Sequence, residues 1–250
     1  MPPLSTFSKY LLIAFLASTY KTLPFAYLIR FYSTVIKNIV IPKIRYHRNG
    51  KFNTFGYSVK KPTNNSDDDK LAIFEPQTFK TYVSPMEVDM YLHKSNSTYF
   101  LDLDIARTDL LTKVFQKIFY RYMDNESGLF KRKSLLNVPY IPVGSVETHF
   151  KHELKPFQSF EIHSKVIAWD KKWIFILSKF VSPKNTGDKI YGITLTKYVF
   201  KRGRITIEPE AMIREVGLWS DEIDVICKRN LSMVEHMTSL EQLELEASKY

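Results

Sequence analysis

One succession of patterns restricts this chain more than any other: a single long helical stripe, then an almost unbroken series of strand-like runs. Over Tyr99–Tyr122, Leu103, Ala106, Leu110, Val114 and Ile118 recur at helical spacing, with Leu111, Phe115 and Tyr122 widening the stripe. Asp102, Asp109, Lys113 and Gln116 fall largely off it, and Met123–Gly128 supplies the stop. From Val138 the period changes. Ser145–Leu154, Phe157–Trp169, Trp173–Val181 and Lys189–Phe200 are rich in β-branched and aromatic residues, which predicts strands. Asp170-Lys171-Lys172 reads as a tight hairpin connection and Pro183–Gly187 as a longer one. Phe79–Val83 alternates as a strand ahead of the helix, and Ile205–Ile207 extends the sheet. Ala211–Leu218 and Leu240–Ser248 predict helices packed outside it. The class is α+β.

The net charge of +10 would suit a nucleic-acid partner, but its distribution argues against one. The first acidic residue is Asp67, and ten of the 36 Lys and Arg precede it, leaving 26 basic against 26 acidic residues. The excess belongs to an N-terminal arm. One cysteine, Cys227, excludes an internal disulfide and any Cys-based zinc site. His149 and His152 have a ligand-like spacing, but a strand points them to opposite faces. No metal or cofactor is expected.

Tyr10–Tyr20 is apolar and uncharged, and after Lys21 the apolar run resumes through Pro24 to Ile29. Tyr10–Ile29 meets the length of about 20 residues that a spanning helix needs, carrying one lysine and one proline. A cleaved signal or a mitochondrial targeting segment stands beside this anchor reading, since the arm has no acids. Arg30, Lys37, Lys43, Arg45, Arg48 and Lys51 follow the run. They would keep the domain on the cytoplasmic or matrix side and near anionic headgroups. The expectation is a membrane-associated protein, mitochondrial, with the endoplasmic reticulum as the alternative. Thr63–Lys70 reads as a polar surface loop. Sequons stand at Asn64, Asn96, Asn125 and Asn230, and a glycan on Asn96 would block chemistry nearby.

Met86–Leu111 carries the candidate chemistry. Glu87 and Asp89 form an acidic pair just ahead of the helix, with Asn96, Tyr99 and Arg107 following Asp89 by seven, ten and eighteen residues. A carboxylate beside a helix start can attack a carbonyl or activate water while the first free N–H groups polarise the carbonyl oxygen. The same residues also serve as ordinary turn and capping residues.

The string resembles the hot-dog-fold thioesterases, in the 4-hydroxybenzoyl-CoA thioesterase-like branch, where an Asp-x-Asp pair, a His-Met-Asn-Asn turn, a Tyr and Ala-Arg-Thr follow in this order. Glu153–Gln158, Ala168-Trp169-Asp170 and Lys172-Trp173 resemble the strands of eukaryotic membrane-anchored relatives, the thioesterase superfamily member six-like proteins. Leu23–Ala26 with Arg30-Phe31 resembles the anchor region of fungal members. The resemblance implies a hot-dog fold, an antiparallel sheet wrapped around a long helix. The expected organisation is an anchor over 1–36, a basic linker over 37–76, the thioesterase-like domain over 77–207 and a helical extension over 208–250.

By the same resemblance, Asp89 is the nucleophile or general base and Asn96 orients water or substrate, while His93, Lys94, Ser95, Ser97 and Tyr99 line the substrate site. Tyr99 and Arg107 also read as architectural, Arg107 pairing with Asp104, and Glu87 is the fallback acid. Where relatives have His-Met-Asn-Asn, this chain has His93-Lys94-Ser95-Asn96, so a lysine replaces methionine and a serine replaces the first asparagine. The implied function is hydrolysis of acyl-coenzyme A by a homodimer at a membrane. A hot-dog protein that has lost activity and binds acyl chains or a partner protein is the alternative.

Overall fold

The computed structural model describes residues 4–49, 72–184, 186–187 and 189–237. The helix expected over Leu240–Ser248 and the loop expected over Thr63–Lys70 lie outside them. The sheet is antiparallel. Strands β1 (Gln77–Tyr82), β2 (Val143–Phe150), β3 (Ser159–Trp169), β4 (Trp173–Val181) and β5 (Ile190–Arg202) run in the order β1-β3-β4-β5-β2, and β6 (Ile205–Ile207) pairs with β5. In the β3–β4 hairpin, the Asp170 carboxylate accepts from the amides of Lys172 and Trp173, which fixes the turn.

Three N-terminal helices precede the sheet: α1 (Leu4–Thr19), α2 (Ala26–Val35) and α3 (Ile41–Asn49). The central helix α4 (Asn96–Val114) lies on the sheet, burying Tyr99, Leu103 and Ala106 against Phe160, Ile162 and Phe180. The stripe predicted as one helix breaks at Phe115 before α5 (Gln116–Met123). Phe115 leaves helical geometry there and packs edge-on to Phe200, 5.0 Å between ring centres. After the sheet come α6 (Pro209–Val216) and α7 (Asp221–Leu231). The latter is missing from the sequence reading, although its signals are ordinary. Ser220 caps it through the Ile223 amide, with acids in the first turn and Lys228 and Arg229 in the last. It seats Cys227 against the backbone of Trp169.

A hot-dog helix has one face on its sheet, and in this chain the other face is not left to solvent. The arm covers it through polar contacts. Lys21 and Arg30 reach Asp102, Tyr27 donates to Asp104, and Asn38 donates to Asp109 and Thr112. Gln116 donates to the Asn38 carbonyl and Tyr120 to the Ile39 carbonyl. These partners explain why Asp102, Asp109 and Gln116, off the apolar stripe, are nonetheless buried.

The arm itself is not the continuous helix expected over Tyr10–Ile29. It turns at Tyr20–Thr22, and Phe25 takes a left-handed conformation at φ 65° before α2 starts. Lys21 points into the domain at that turn, 4% exposed. No single helix among the described residues is long and apolar enough to cross a membrane. The pair Thr6–Thr22 and Ala26–Arg45, bent by 58°, passes that test together by length and composition.

Candidate active site

The acidic pair lies in a tight loop between β1 and α4. Ser84 caps a short turn over Pro85–Glu87 and its amide donates to the Glu87 carboxylate, a reciprocal capping box. The chain then folds back so that Val88 bridges to Lys94 and the Ser95 amide donates to the Glu87 carbonyl. Asp89 sits on the turn between them. Its amide donates to the His93 carbonyl, and its Oδ1 accepts from the Tyr91 amide at 2.9 Å. Its Oδ2 is 3.6 Å from His93 Nδ1, beyond hydrogen-bond length. The carboxylate is half-buried and touches no lysine or arginine at salt-bridge distance among the described residues.

The start of α4 lies next to this turn. Ser95 is its cap residue but makes no side-chain capping bond; its carbonyl accepts from the Thr98 amide, and its side chain leaves the Asn96 and Ser97 amides uncapped. Ser95 and Ser97 face each other, 3.1 Å between their hydroxyl oxygens. His93, Lys94, Asn96 and Tyr99 line a hollow of about 210 Å³ together with Phe150, Lys151, His152 and Glu153 from the end of β2. Of the residues proposed from sequence, four therefore share one hollow, and Asp89 adjoins it through His93. Ser95 and Ser97 do not line it. Tyr99 is buried, edge-on to Phe150 and Phe180, and acts as wall. Burial, with the Tyr191 and Glu153 charges adding to it, raises its phenol well above the ordinary range. Arg107 is buried too, donating to Thr196 at 2.7 Å and lying 3.5 Å from Asp104.

Lys94 does not sit in solvent. Its side chain is fully buried, with the ammonium 3.1 Å from Glu87 and 3.0 Å from Asp102. The methionine-to-lysine departure in the turn thus supplies a buried cation. Lys21 lies 2.8 Å from Glu87 and 2.9 Å from Asp102, and Arg30 lies 2.8 Å from Asp102. Three cations and two carboxylates therefore meet under the turn that carries Asp89. Burial works to raise the Asp102 pKa, but Lys94, Lys21 and Arg30 outweigh it and hold the carboxyl below its ordinary value. Sequence reasoning missed this cluster. Its members come from positions up to 81 residues apart, and no local pattern connects them.

The pattern of the thioesterase-like superfamily matches residues 83–211, from the end of β1 to α6. The probable thioesterase YBR096W of Saccharomyces cerevisiae is 39% identical over 229 residues, 92% of this chain and 88% of its own length. Thioesterase lcsJ of Purpureocillium lilacinum is 35% identical over 168 residues, 63% of this chain and 54% of the relative, so the chain spans about half of it. The solved 4-hydroxybenzoyl-CoA thioesterase of a Pseudomonas species is 17% identical, with 58% of this chain and 99% of that one aligned at a TM-score of 0.43. With over half its length in the superfamily pattern and a yeast relative matched almost end to end, the chain belongs to the thioesterase-like superfamily.

Proposed function

We propose that this protein is a membrane-associated acyl-coenzyme A thioesterase whose reacting carboxylate is Asp89. The observation that carries the reading is an Asp89 carboxylate with no lysine or arginine at salt-bridge distance among the described residues, in a turn beside a helix start where Ser95 makes no side-chain capping bond. Asp89 takes a proton from water, and the hydroxide adds to the thioester carbonyl carbon. The Asn96 and Ser97 amides at the start of α4 hold the resulting oxyanion, a role worth on the order of 3 kcal/mol per donor. Collapse breaks the C–S bond, the thiolate leaves with the proton, and the products are a carboxylic acid and free coenzyme A. Direct attack by Asp89 would give an acyl anhydride that water then opens, with the same products. Asn96, at the hollow, orients the water or the substrate.

The test is release of thiol from a panel of acyl-coenzyme A esters by the intact chain in detergent. The expected result is turnover that depends on chain length. Saturable binding with no thiol release would support the binding-only reading, which the small volume of the hollow favours.

Membrane association is supported by the outer side of the arm. Phe7, Tyr10, Leu11, Leu12, Ile13, Phe15 and Leu16 of α1 are all exposed, as are Phe25, Leu28, Ile29 and Tyr32 at α2. At about 1.5 Å per residue, α1 is about 24 Å long, short of the roughly 30 Å hydrocarbon core. We propose that α1 enters one side of the bilayer while α2, tied to α4, stays at the interface. Alkaline carbonate should leave the intact chain in the membrane pellet. Leu12→Asp with Phe15→Asp should release it, because each central aspartate costs about 2.5–3.5 kcal/mol on insertion. Release of the unaltered chain would contradict the insertion of α1.

A second copy of the chain fits the same account. The outer edge of β2 ends the sheet, and the hollow opens at the end of that strand. Pairing there would cover an exposed strand edge and close the site. The mass of the active species in detergent should then be that of two chains, and an active monomer would sink this part.

A further inference from the structure

We infer that Lys21 is a positioning residue for the thioesterase site, so that docking of the N-terminal arm sets the place of the Asp89 turn. This rests on the reading of Asp89 as the reacting carboxylate. The turn is held at both ends, and each hold leads to the arm. At its start, Thr22 and Ser84 have hydroxyl oxygens 3.1 Å apart, and Lys21 grips the Glu87 carboxylate two residues before Asp89. At its end, Lys94 shares Glu87 and Asp102 with Lys21. Lys21 also donates to Thr81 of β1 and stands over the rings of Tyr82 and Phe160. Tyr82 in turn donates to the Ser18 carbonyl of α1. The arm is thereby tied to the strand before the turn, the turn itself and the helix after it.

The side chains of Lys21, Lys94, Glu87 and Asp102 are at most 2% exposed, so solvent cannot replace a lost partner. Without the Lys21 ammonium, Glu87 is left to Lys94 and the Ser84 amide, and the two stems of the turn lose their shared clamp. Small displacements at a reacting group are expensive in rate. Lys21 is buried and does not line the hollow, so its contribution to the reaction passes through the Glu87 and Asp102 carboxylates that hold the turn.

The experiment compares Lys21→Met, Glu87→Gln and the double variant with the intact chain in detergent, reading kcat, KM and the unfolding midpoint on a hydrolysed acyl-coenzyme A. Lys21→Met should lower kcat by about 10–100-fold, the cost of an ångström-scale misplacement, while KM changes by less than about threefold. The double variant should be no slower than the slower single one, because both remove the same link. Arg30→Met loosens the arm at Asp102 without touching Glu87. It should lower the midpoint and spare kcat. Wild-type kcat in folded Lys21→Met, or fully multiplying losses in the double variant, would overturn the inference. If Lys21→Met does not fold, Lys21→Gln decides. It lacks the charge and one bond of the reach with which Lys21 holds Glu87 and Asp102 together, so wild-type kcat there would overturn the proposal equally. The parent reading fails separately, through an active Asp89→Asn.

Discussion

Asp102→Ala should destabilise the protein by about 3–5 kcal/mol, the usual cost of removing one partner from a buried ion pair. The carboxylate is fully buried and receives Lys21, Lys94 and Arg30 at 2.8–3.0 Å. Its loss leaves two buried ammonium groups to share Glu87 alone. It also removes one residue that fastens both the turn of the arm and α2 to α4. The measurement is denaturant or thermal unfolding of the intact chain in detergent. For a protein of this size the midpoint should fall by about 2–4 °C for each kcal/mol. A loss below about 1 kcal/mol would show that the cluster holds nothing together.

The same residue fixes the direction of the acid response. Because its folded-state pKa lies below the ordinary value of about 3.9, its stabilisation is fully present above that pH. It is lost as the pH falls through the lower folded-state value.

The strands were legible in the sequence because their signal is local. Alternation and β-branched content placed Trp173–Val181 and Ile205–Ile207 with the observed bounds. Ser145–Leu154 was read four residues too long at its end. Lys151 and His152 there leave the sheet and donate to the Tyr191 carbonyl, and Leu154 turns into the core. The helix stripe was legible too, but the pattern does not say what covers the opposite face. Asp102, Asp109 and Gln116 recur every seven residues, a polar line along that face. Lys21, Arg30 and Asn38 of the arm supply two cations and an amide toward it. Read alone, Lys21 interrupts an apolar run; read against that line, it completes a cluster.

Two expectations about the site change for this reason. Lys94 is expected as a lining residue of the substrate site, and its ammonium instead turns inward, buried because Glu87 and Asp102 neutralise it. From sequence Glu87 is the fallback acid. It is 2% exposed and clamps both Lys21 and Lys94, so Glu87→Gln tests the architecture and is no neutral control for Asp89. Removing residues 1–36 to obtain a soluble domain would take Lys21 and Arg30 away from Asp102. Loss of activity in that fragment would report on folding as much as on chemistry.

Asp89→Asn should lower kcat by about two orders of magnitude or more while leaving the fold unchanged. The fold is spared because the contacts of this side chain are local. An asparagine oxygen can accept from the Tyr91 amide as Oδ1 does, and no buried cation loses a partner. The rate is not spared, because a neutral amide neither accepts the proton of water nor attacks a carbonyl. The direct measurement is thiol release by the Asp89→Asn chain beside the unaltered one, at saturating acyl-coenzyme A and with unfolding midpoints matched. The account predicts turnover in the unaltered chain and a loss of about 100-fold or more in the variant. Equal turnover in the two would contradict it and remove Asp89 from the reaction.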